Sequence, residues 1–263
     1  MSAALTQNDF LSGRVTLWQP KDGYRAGVDP VLLAATIPAK PGQQVLELGS
    51  GAGAAFLCLA ARVPDLTVHA VELQPEYAAL AQRNAKDNGA DATIWEADLA
   101  ALPLELRQMQ FDHVLANPPY FDRTASTAAQ DAGRDVAMGE DTPLRVWIEV
   151  AAKRLAPKGT ATFVHRAERL PDLLSGMQDV LGSLQVLPLQ ARAGRDANLV
   201  LVRGVKGGRA AFRLHAPVRL HEGAKHTQDG ESYTAPISAG LRDGAAALFP
   251  SQGNATRGRG GAA

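Results

Sequence analysis

Cysteine, net charge and long apolar runs are all scarce in this sequence, and each shortage bears on what the protein can be. Cys58 is the single cysteine among 263 residues. An intramolecular disulfide is therefore impossible, and a cysteine-based metal site is strongly disfavoured. Lys plus Arg total 27 and Asp plus Glu total 27, so the overall charge points to no polyanionic partner. No apolar run approaches the ~18 residues a membrane span requires. The richest, Ala54 to Ala61, has the length of a core helix. The N-terminus MSAALTQNDF lacks a basic segment followed by an apolar core, so no signal peptide is expected and the reading is cytoplasmic. What remains, 46% hydrophobic and 21% charged residues, suits a globular protein with a substantial core.

From Gln43 onward, short β-rich runs alternate with helical stretches. VLEL (Val45 to Leu48) ends at a glycine cluster, and a helix from Ala54 to Val63 stops at Pro64. TVHAVE (Thr67 to Glu72) reads as a second strand, and Pro75 opens a helix to Asn88 that Gly89 caps. ATIWE (Ala92 to Glu96) and FDHVLA (Phe111 to Ala116) are the third and fourth strands. Phe121 to Asp141 has no period and reads as a loop. Beyond Pro143, apolar residues at Leu144, Trp147, Ile148, Ala151 and Leu155 predict a helix. TATFVH (Thr160 to His165) is a fifth strand, followed by a helix from Leu170 to Leu181 and strands LQVLPL and NLVLVRGVK. Only Gln190 to Ala197 separates those last two, too few residues for a crossover helix, so they are expected to pair antiparallel. The fold class is α/β: a Rossmann-like, mostly parallel seven-stranded sheet with an antiparallel terminal hairpin and helices on both faces.

Glu47-Leu48-Gly49-Ser50-Gly51-Ala52-Gly53 lies where the first strand hands over to the first helix. Gly49, Gly51 and Gly53 there permit a tight turn and close approach of a ligand to the helix N-terminus. Glu72, ending the second strand, is placed to accept hydrogen bonds from both hydroxyls of a ribose. Gly49, Gly51 and Ala54 also satisfy the dinucleotide pattern GxGxxA, so a nicotinamide-dependent oxidoreductase competes from this segment alone. Glu47 and Asp98 tilt the balance. An acid two residues before the first glycine commonly helps to hold the methionine end of S-adenosylmethionine in methyltransferases, where dinucleotide enzymes usually carry an apolar residue. Asp98, just past the third strand, fits the position that meets the adenine amino group of that cofactor.

Asn117-Pro118-Pro119-Tyr120 directly follows the fourth strand. This segment suits methylation of an amino nitrogen conjugated to a ring or carbonyl, whose lone pair is delocalised and therefore a poor nucleophile. Acceptors on its two N–H bonds, the Asn117 side-chain oxygen and the Pro118 carbonyl, localise that pair toward an electrophilic methyl. The prolines preset the carbonyl direction. Tyr120 is placed to stack on a planar substrate. The bland alternative is a proline turn ending a strand, with Tyr120 as a core aromatic.

The stretch Gly23-Tyr24-Arg25-Ala26-Gly27-Val28-Asp29-Pro30-Val31-Leu32-Leu33, together with ELGSGAG, VELQPEY, EADL and ANPPY, resembles the bacterial tRNA N6-adenine methyltransferases that modify the adenine beside the anticodon of a valine tRNA. Resemblance runs from about Leu17 to Leu220. It implies S-adenosylmethionine as cofactor and an N-terminal segment folded over it, which implicates Asp29 and, less directly, Arg25. Asp29 before Pro30 also reads as a helix N-cap. The implied division is an N-terminal extension, residues 1–40, covering the cofactor site; a methyltransferase domain, 41–220; and a C-terminal extension with a disordered tail, 221–263.

Between Ala191 and His226, eight basic residues face two acids. Arg192, Arg195, Arg203, Lys206, Arg209 and Arg213 in that run are the candidates for holding a tRNA backbone, although the run also reads as a plain solvated face. The glycine-punctuated GVKGGRAAFRLHAP and the RGRG tail depart from the family's usual pattern. The nearest rival is a release-factor glutamine N5-methyltransferase, which uses the same NPPY but carries a large helical N-terminal domain. Ribosomal base amino-methyltransferases usually have a duplicated domain. His69, His113 and His165 read as satisfied polar residues at the core edge, and Arg134 as an exposed arginine.

Overall fold

The computed structural model describes residues 4–120, 142–223, 232–245 and 249. The loop expected over 121–141, Arg134 within it, and the glycine-rich tail lie outside the described residues. The chain opens with an antiparallel hairpin, Leu5–Phe10 (β1) and Val15–Pro20 (β2), turned through Leu11, Ser12 and Gly13, all at positive φ. Patterning gives no strand at β1, because Thr6-Gln7-Asn8-Asp9 is polar throughout, whereas β2 carries the strand-like alternation Val15-Thr16-Leu17-Trp18. Burial of Leu11, Val15 and Leu17 anchors the hairpin in the core, and side-chain partners hold its backbone. The Asn84 side chain accepts from Trp18 N–H at 2.8 Å and donates to Trp18 C=O at 3.0 Å, and Asn88 does the same to Thr16 at 2.9 and 2.7 Å. Two asparagines on one helix thus mimic a neighbouring strand for β2. Asp29–Thr36 (α1) follows, with every residue after Asp29 buried.

The central layer is built from Gln44–Leu48 (β3), Thr67–Glu72 (β4), Ala92–Glu96 (β5), Phe111–Ala116 (β6) and Leu155–Arg166 (β7), all parallel in the order β7-β6-β3-β4-β5. β3, β4 and β6 are buried almost end to end, as strands covered on both faces must be. The covering helices are Ala54–Arg62 (α2), Pro75–Asp87 (α3), the short Leu104–Gln108 (α4), Leu144–Arg154 (α5) and Leu170–Val180 (α6). Gly89 at φ 65 ends α3, its N–H bonding Lys86 C=O at 3.1 Å.

Gly182–Gln190 (β8) and Ala197–Val205 (β9) pair antiparallel as expected, and β9 also pairs antiparallel with β7, so it sits between β7 and β8. All seven expected strands are present. Two further two-residue strands, Arg213–Leu214 (β10) and Val218–Arg219 (β11), run parallel along the outer edge of β8 and bring the sheet to nine. The basic run after β9 is thus partly stitched to the sheet edge, with His215 N–H on Val186 C=O and Leu220 N–H on Gln190 C=O. Ala235–Asp243 (α7) packs near α1 and the hairpin turn. Among the described residues no helix is long and apolar enough to cross a membrane.

Candidate active site

β3 and β6 lie side by side, Leu48 opposite Ala116, and from them the chain order runs outward in both directions. Such a reversal leaves a crevice beyond the carboxyl ends of the strands. A cavity of about 460 Å³ opens there, a size suited to a nucleoside-like ligand. Its wall includes Glu47, Gly49, Gly51, Glu72, Asp98 and the whole of Asn117 to Tyr120. Four separate sequence motifs therefore meet at one place.

Each acid has a distinct job. Glu47 is almost fully buried, and one carboxylate oxygen accepts from Phe56 N–H at 2.8 Å, in the first turn of α2. Burial pushes its pKa well above the ordinary carboxylate value, opposed by that bond. Glu72 braces the glycine turn: one oxygen accepts from Gly51 N–H at 2.7 Å and the other from Gln74 N–H at 2.9 Å. Burial raises its pKa too, and the backbone N–H donors pull it back. Asp98 is exposed and caps the short turn after β5, accepting from Ala100 N–H at 2.8 Å. All three carboxylates reach the cavity from fixed positions.

The glycines divide differently from expectation. Gly49 (φ 65) and Gly51 (φ 54) line the cavity, whereas Gly53 (φ 95) does not. Gly53 is the residue before α2, with Phe56 ring atoms 2.6 and 2.7 Å from where a Cβ would stand. Its left-handed backbone begins the helix.

Asn117 sits at the mouth of β6 with its Oδ1 buried and without a hydrogen-bond partner, while its Nδ2 lies 3.5 Å from the Tyr24 hydroxyl. Pro118 is buried beside it. An unpaired buried acceptor costs stability, and this one lies in the wall of the cavity. Tyr120 donates its hydroxyl proton to Asp29 Oδ2 at 2.6 Å. Asp29 is the first residue of α1 and Val28 the cap, so Asp29 does not act as the N-cap the sequence suggested. Burial raises the Asp29 pKa, partly offset by the Tyr120 bond and the Arg166 charge.

Residues 26–192 match the family described as the methyltransferase small domain. This chain belongs to that family. It is 31% identical over 191 residues to the tRNA1(Val) (adenine(37)-N6)-methyltransferase of Aeromonas hydrophila, a match covering 70% of this chain and 77% of that protein. The Porphyromonas gingivalis protein of the same name is 33% identical over 176 residues, covering 62% and 67%. Among solved structures, an Agrobacterium tumefaciens protein described as an O-methyltransferase superposes with TM-score 0.68 at 26% identity, over 83% of this chain and 97% of the other. The Thermus thermophilus 16S rRNA N2 G1207 methyltransferase, solved with AdoMet and guanosine, superposes with TM-score 0.54 at 21% identity, over 78% of this chain and 51% of that one. The second likeness concerns the fold alone.

Sequence reasoning missed two residues of this methyltransferase's site. Tyr24 spans the cavity: its ring lies 3.6 Å from the Cβ position of Gly51, and its hydroxyl faces Asn117. Its backbone is clasped by the Tyr77 hydroxyl, which takes the Tyr24 N–H at 3.0 Å and donates to the Tyr24 C=O at 3.1 Å. Trp147 on α5 fills the space that Gly49 leaves open. Arg25 lines the cavity but spends its guanidinium on the hairpin, donating to Thr6 Oγ1, Pro20 C=O and Asn8 Oδ1 at 2.6 to 2.8 Å. His69 accepts from Trp95 Nε1 at 3.0 Å, and His113 bridges Thr160 and Gln43, so both are satisfied as expected. His165 is fully buried with no partner for its Nε2.

Proposed function

We propose that this chain transfers a methyl group from S-adenosylmethionine to the exocyclic N6 of an adenine in tRNA. The observation that carries the reading is Asn117 Oδ1, a buried acceptor without a partner in the wall of the cavity where β3 and β6 end. The residues present fit the cofactor. Glu72 offers a buried carboxylate held by two backbone N–H groups, a suitable acceptor for ribose hydroxyls. Glu47 offers a buried carboxyl in the cavity wall for a methionine ammonium, and the exposed Asp98 one for an adenine amino group. When bound, S-adenosylmethionine supplies a methyl group on a positively charged sulfur. Asn117 Oδ1 and the Pro118 carbonyl then accept from the two N–H bonds of the target amine, directing its lone pair at the methyl. The cationic amine so formed loses a proton readily to water, so no dedicated base is required.

The basic residues sort by position in the sheet. Arg192 and Arg195 lie in the β8–β9 turn, at the end where β7 finishes beside the NPPY segment. Lys206 lies at the opposite end, separated by the length of β9, roughly 27 Å for nine extended residues, with Arg209 three residues on; Arg213 pairs beside Gln185, about 17 Å along β8 from Gln190. Lys206 donates to Ala152 C=O there. Arg203 is buried in mid-sheet, which removes it from any RNA surface. RNA contact is therefore assigned to the catalytic end, with Arg195 and Arg219, both exposed, as the residues to test.

Incubation of unmodified tRNA with the protein and S-adenosylmethionine, followed by nucleoside mass spectrometry, should yield N6-methyladenosine. Methylation of a release-factor glutamine with no change in tRNA would overturn the reading. Arg195→Ala should lower the salt dependence of tRNA affinity by about one counterion, with Arg213→Ala leaving it unchanged. The reverse pattern would move the RNA surface to the other end of the sheet.

A further inference from the structure

We propose that Asp29 is a positioning residue for Tyr120, through which the N-terminal segment sets the aromatic ring of the NPPY segment. The two are 91 residues apart in sequence, yet the Tyr120 hydroxyl donates to Asp29 Oδ2 at 2.6 Å. An O–H donor on a carboxylate at that separation is a short, charge-assisted bond. Asp29 itself has little freedom, because it begins a helix whose remaining seven residues are all buried. The first turn of a helix also favours its negative charge.

A second contact fixes the ring from another side. His165, at the end of β7 and fully buried, has its ring centroid 5.5 Å from that of Tyr120 at an interplanar angle of 48°. Arg166 N–H donates to His165 Nδ1 at 2.9 Å, which places the proton of the neutral imidazole on Nε2 and holds the ring in one orientation. Tyr120 is thus gripped at its hydroxyl by α1 and packed at its ring by β7. A tyrosine has two soft side-chain torsions, and both are settled before any substrate arrives. Pre-set surfaces of this kind matter for methyl transfer, where a misplacement of about 1 Å costs on the order of 100-fold in rate.

This assigns Asp29 a role through Tyr120 rather than on the cofactor, and its effect on turnover rests on the methyl-transfer reading above. The test is a double-mutant cycle with Asp29→Ala, Tyr120→Phe and the pair, using whichever acceptor the wild type methylates. Each single variant should lose roughly 10-fold in kcat, and the pair should lose no more than either alone. Asp29→Asn, which keeps an acceptor oxygen, should recover most of the loss. S-adenosylmethionine affinity, measured by calorimetric titration without any acceptor, should stay within about twofold throughout. A roughly tenfold weaker affinity caused by Asp29→Ala in the Tyr120→Phe background would make Asp29 a cofactor contact and overturn the proposal. Additive losses in kcat would overturn it equally. Absence of methylated adenine with wild-type protein would count against the tRNA reading instead, leaving the cofactor titrations to decide the role of Asp29.

Discussion

Trp147 occupies the side-chain space of Gly49: its Cζ3 lies 2.8 Å from where a Cβ on Gly49 would be built. Gly49 also holds φ at 65, which any other residue adopts with strain. The first glycine of the turn is thereby required twice, once by backbone and once by a neighbour from α5. Trp147 is itself anchored, its Nε1 donating to Thr142 C=O at 3.1 Å. A helix distant in sequence therefore fixes the floor of the cofactor cavity.

Gly49→Ala is expected to destabilise the protein by roughly 2–4 kcal/mol, combining left-handed strain with overpacking. Adding Trp147→Leu should return the steric part and leave the conformational part. Thermal unfolding of the two variants measures this directly. Equal destabilisation with and without Trp147→Leu would mean that the indole does not set the requirement for glycine.

The series from β3 to β9 was legible in the sequence because VLEL, TVHAVE and FDHVLA are short runs rich in Val, Leu, Ala and Phe that alternate with helical stretches and are bounded by glycine and proline. The helix expected to reach Asn88 ends at Asp87, within the fraying of any helix end. Other features had no local signal. β1 is polar, and β2 is placed by the burial of Val15 and Leu17 together with Asn84 and Asn88, while β9 lies between β7 and β8 through antiparallel pairing on both its edges. The acids and the NPPY segment were readable as motifs, but Tyr24 reaches Asn117 across 93 residues, and only the folded chain shows it. Arg203 follows the continuous apolar run Leu199 to Val202, in a strand buried on both faces from Val200 to Gly204, which leaves its charge inside the fold.

Asn117→Ala should cut turnover by about 100- to 1000-fold, the usual consequence of removing one acceptor or donor aimed at developing charge. Affinity for S-adenosylmethionine should fall far less, because the adenosine-facing acids are untouched. Single-turnover rates set against calorimetric affinity separate the two effects. Matched losses in both would assign Asn117 to cofactor binding alone.

Glu72→Gln removes one of two carboxylate oxygens that accept backbone N–H bonds and turns an N–H₂ group toward Gly51 or Gln74. Loss of one charge-assisted bond is worth about 1.5–3 kcal/mol. Cofactor affinity should drop by roughly 10- to 100-fold, since the ribose acceptor and the glycine turn are disturbed together. A variant that binds the cofactor as tightly as wild type would show that Glu72 acts only as a brace.

Two buried histidines predict an acid-sensitive core. His113 and His165 each have the pKa drawn down to about 4, chiefly by burial, with Arg203 and Arg62 adding to it at His113 and Arg169 and Arg166 at His165. Unfolded histidine titrates near pH 6.5, so each ring contributes stability above that pH and loses it as pH falls toward 4. The full loss is about 3 kcal/mol per ring. Asp29, Glu47 and Glu72 have raised pKa values and act with the opposite sign in acid. The comparison to make is therefore wild type against His113→Gln, with the gap in unfolding free energy narrowing between pH 6.5 and 4. Proton NMR of the imidazole rings gives an independent check, and a ring titrating near 6.5 would contradict the burial argument.

Arg203 is a structural cation. Its Nη2 donates to Thr36 C=O, its Nε to Thr162 Oγ1 at 3.4 Å, and its guanidinium carbon lies 4.2 Å from the centre of the Phe249 ring. Burial lowers its pKa to about 10, still well above neutral pH, so the charge persists inside the fold. Through these contacts Arg203 ties α1 to β7 and to Phe249. Arg203→Ala should reduce stability by roughly 2–4 kcal/mol, because it opens a cavity and strips the Thr36 carbonyl of its donor. Arg203→Met should cost less, since an apolar side chain of similar length refills the space. Neither variant should change the slope of tRNA affinity against salt at a temperature where the protein remains folded. A shallower slope without loss of stability would place Arg203 on the RNA surface after all.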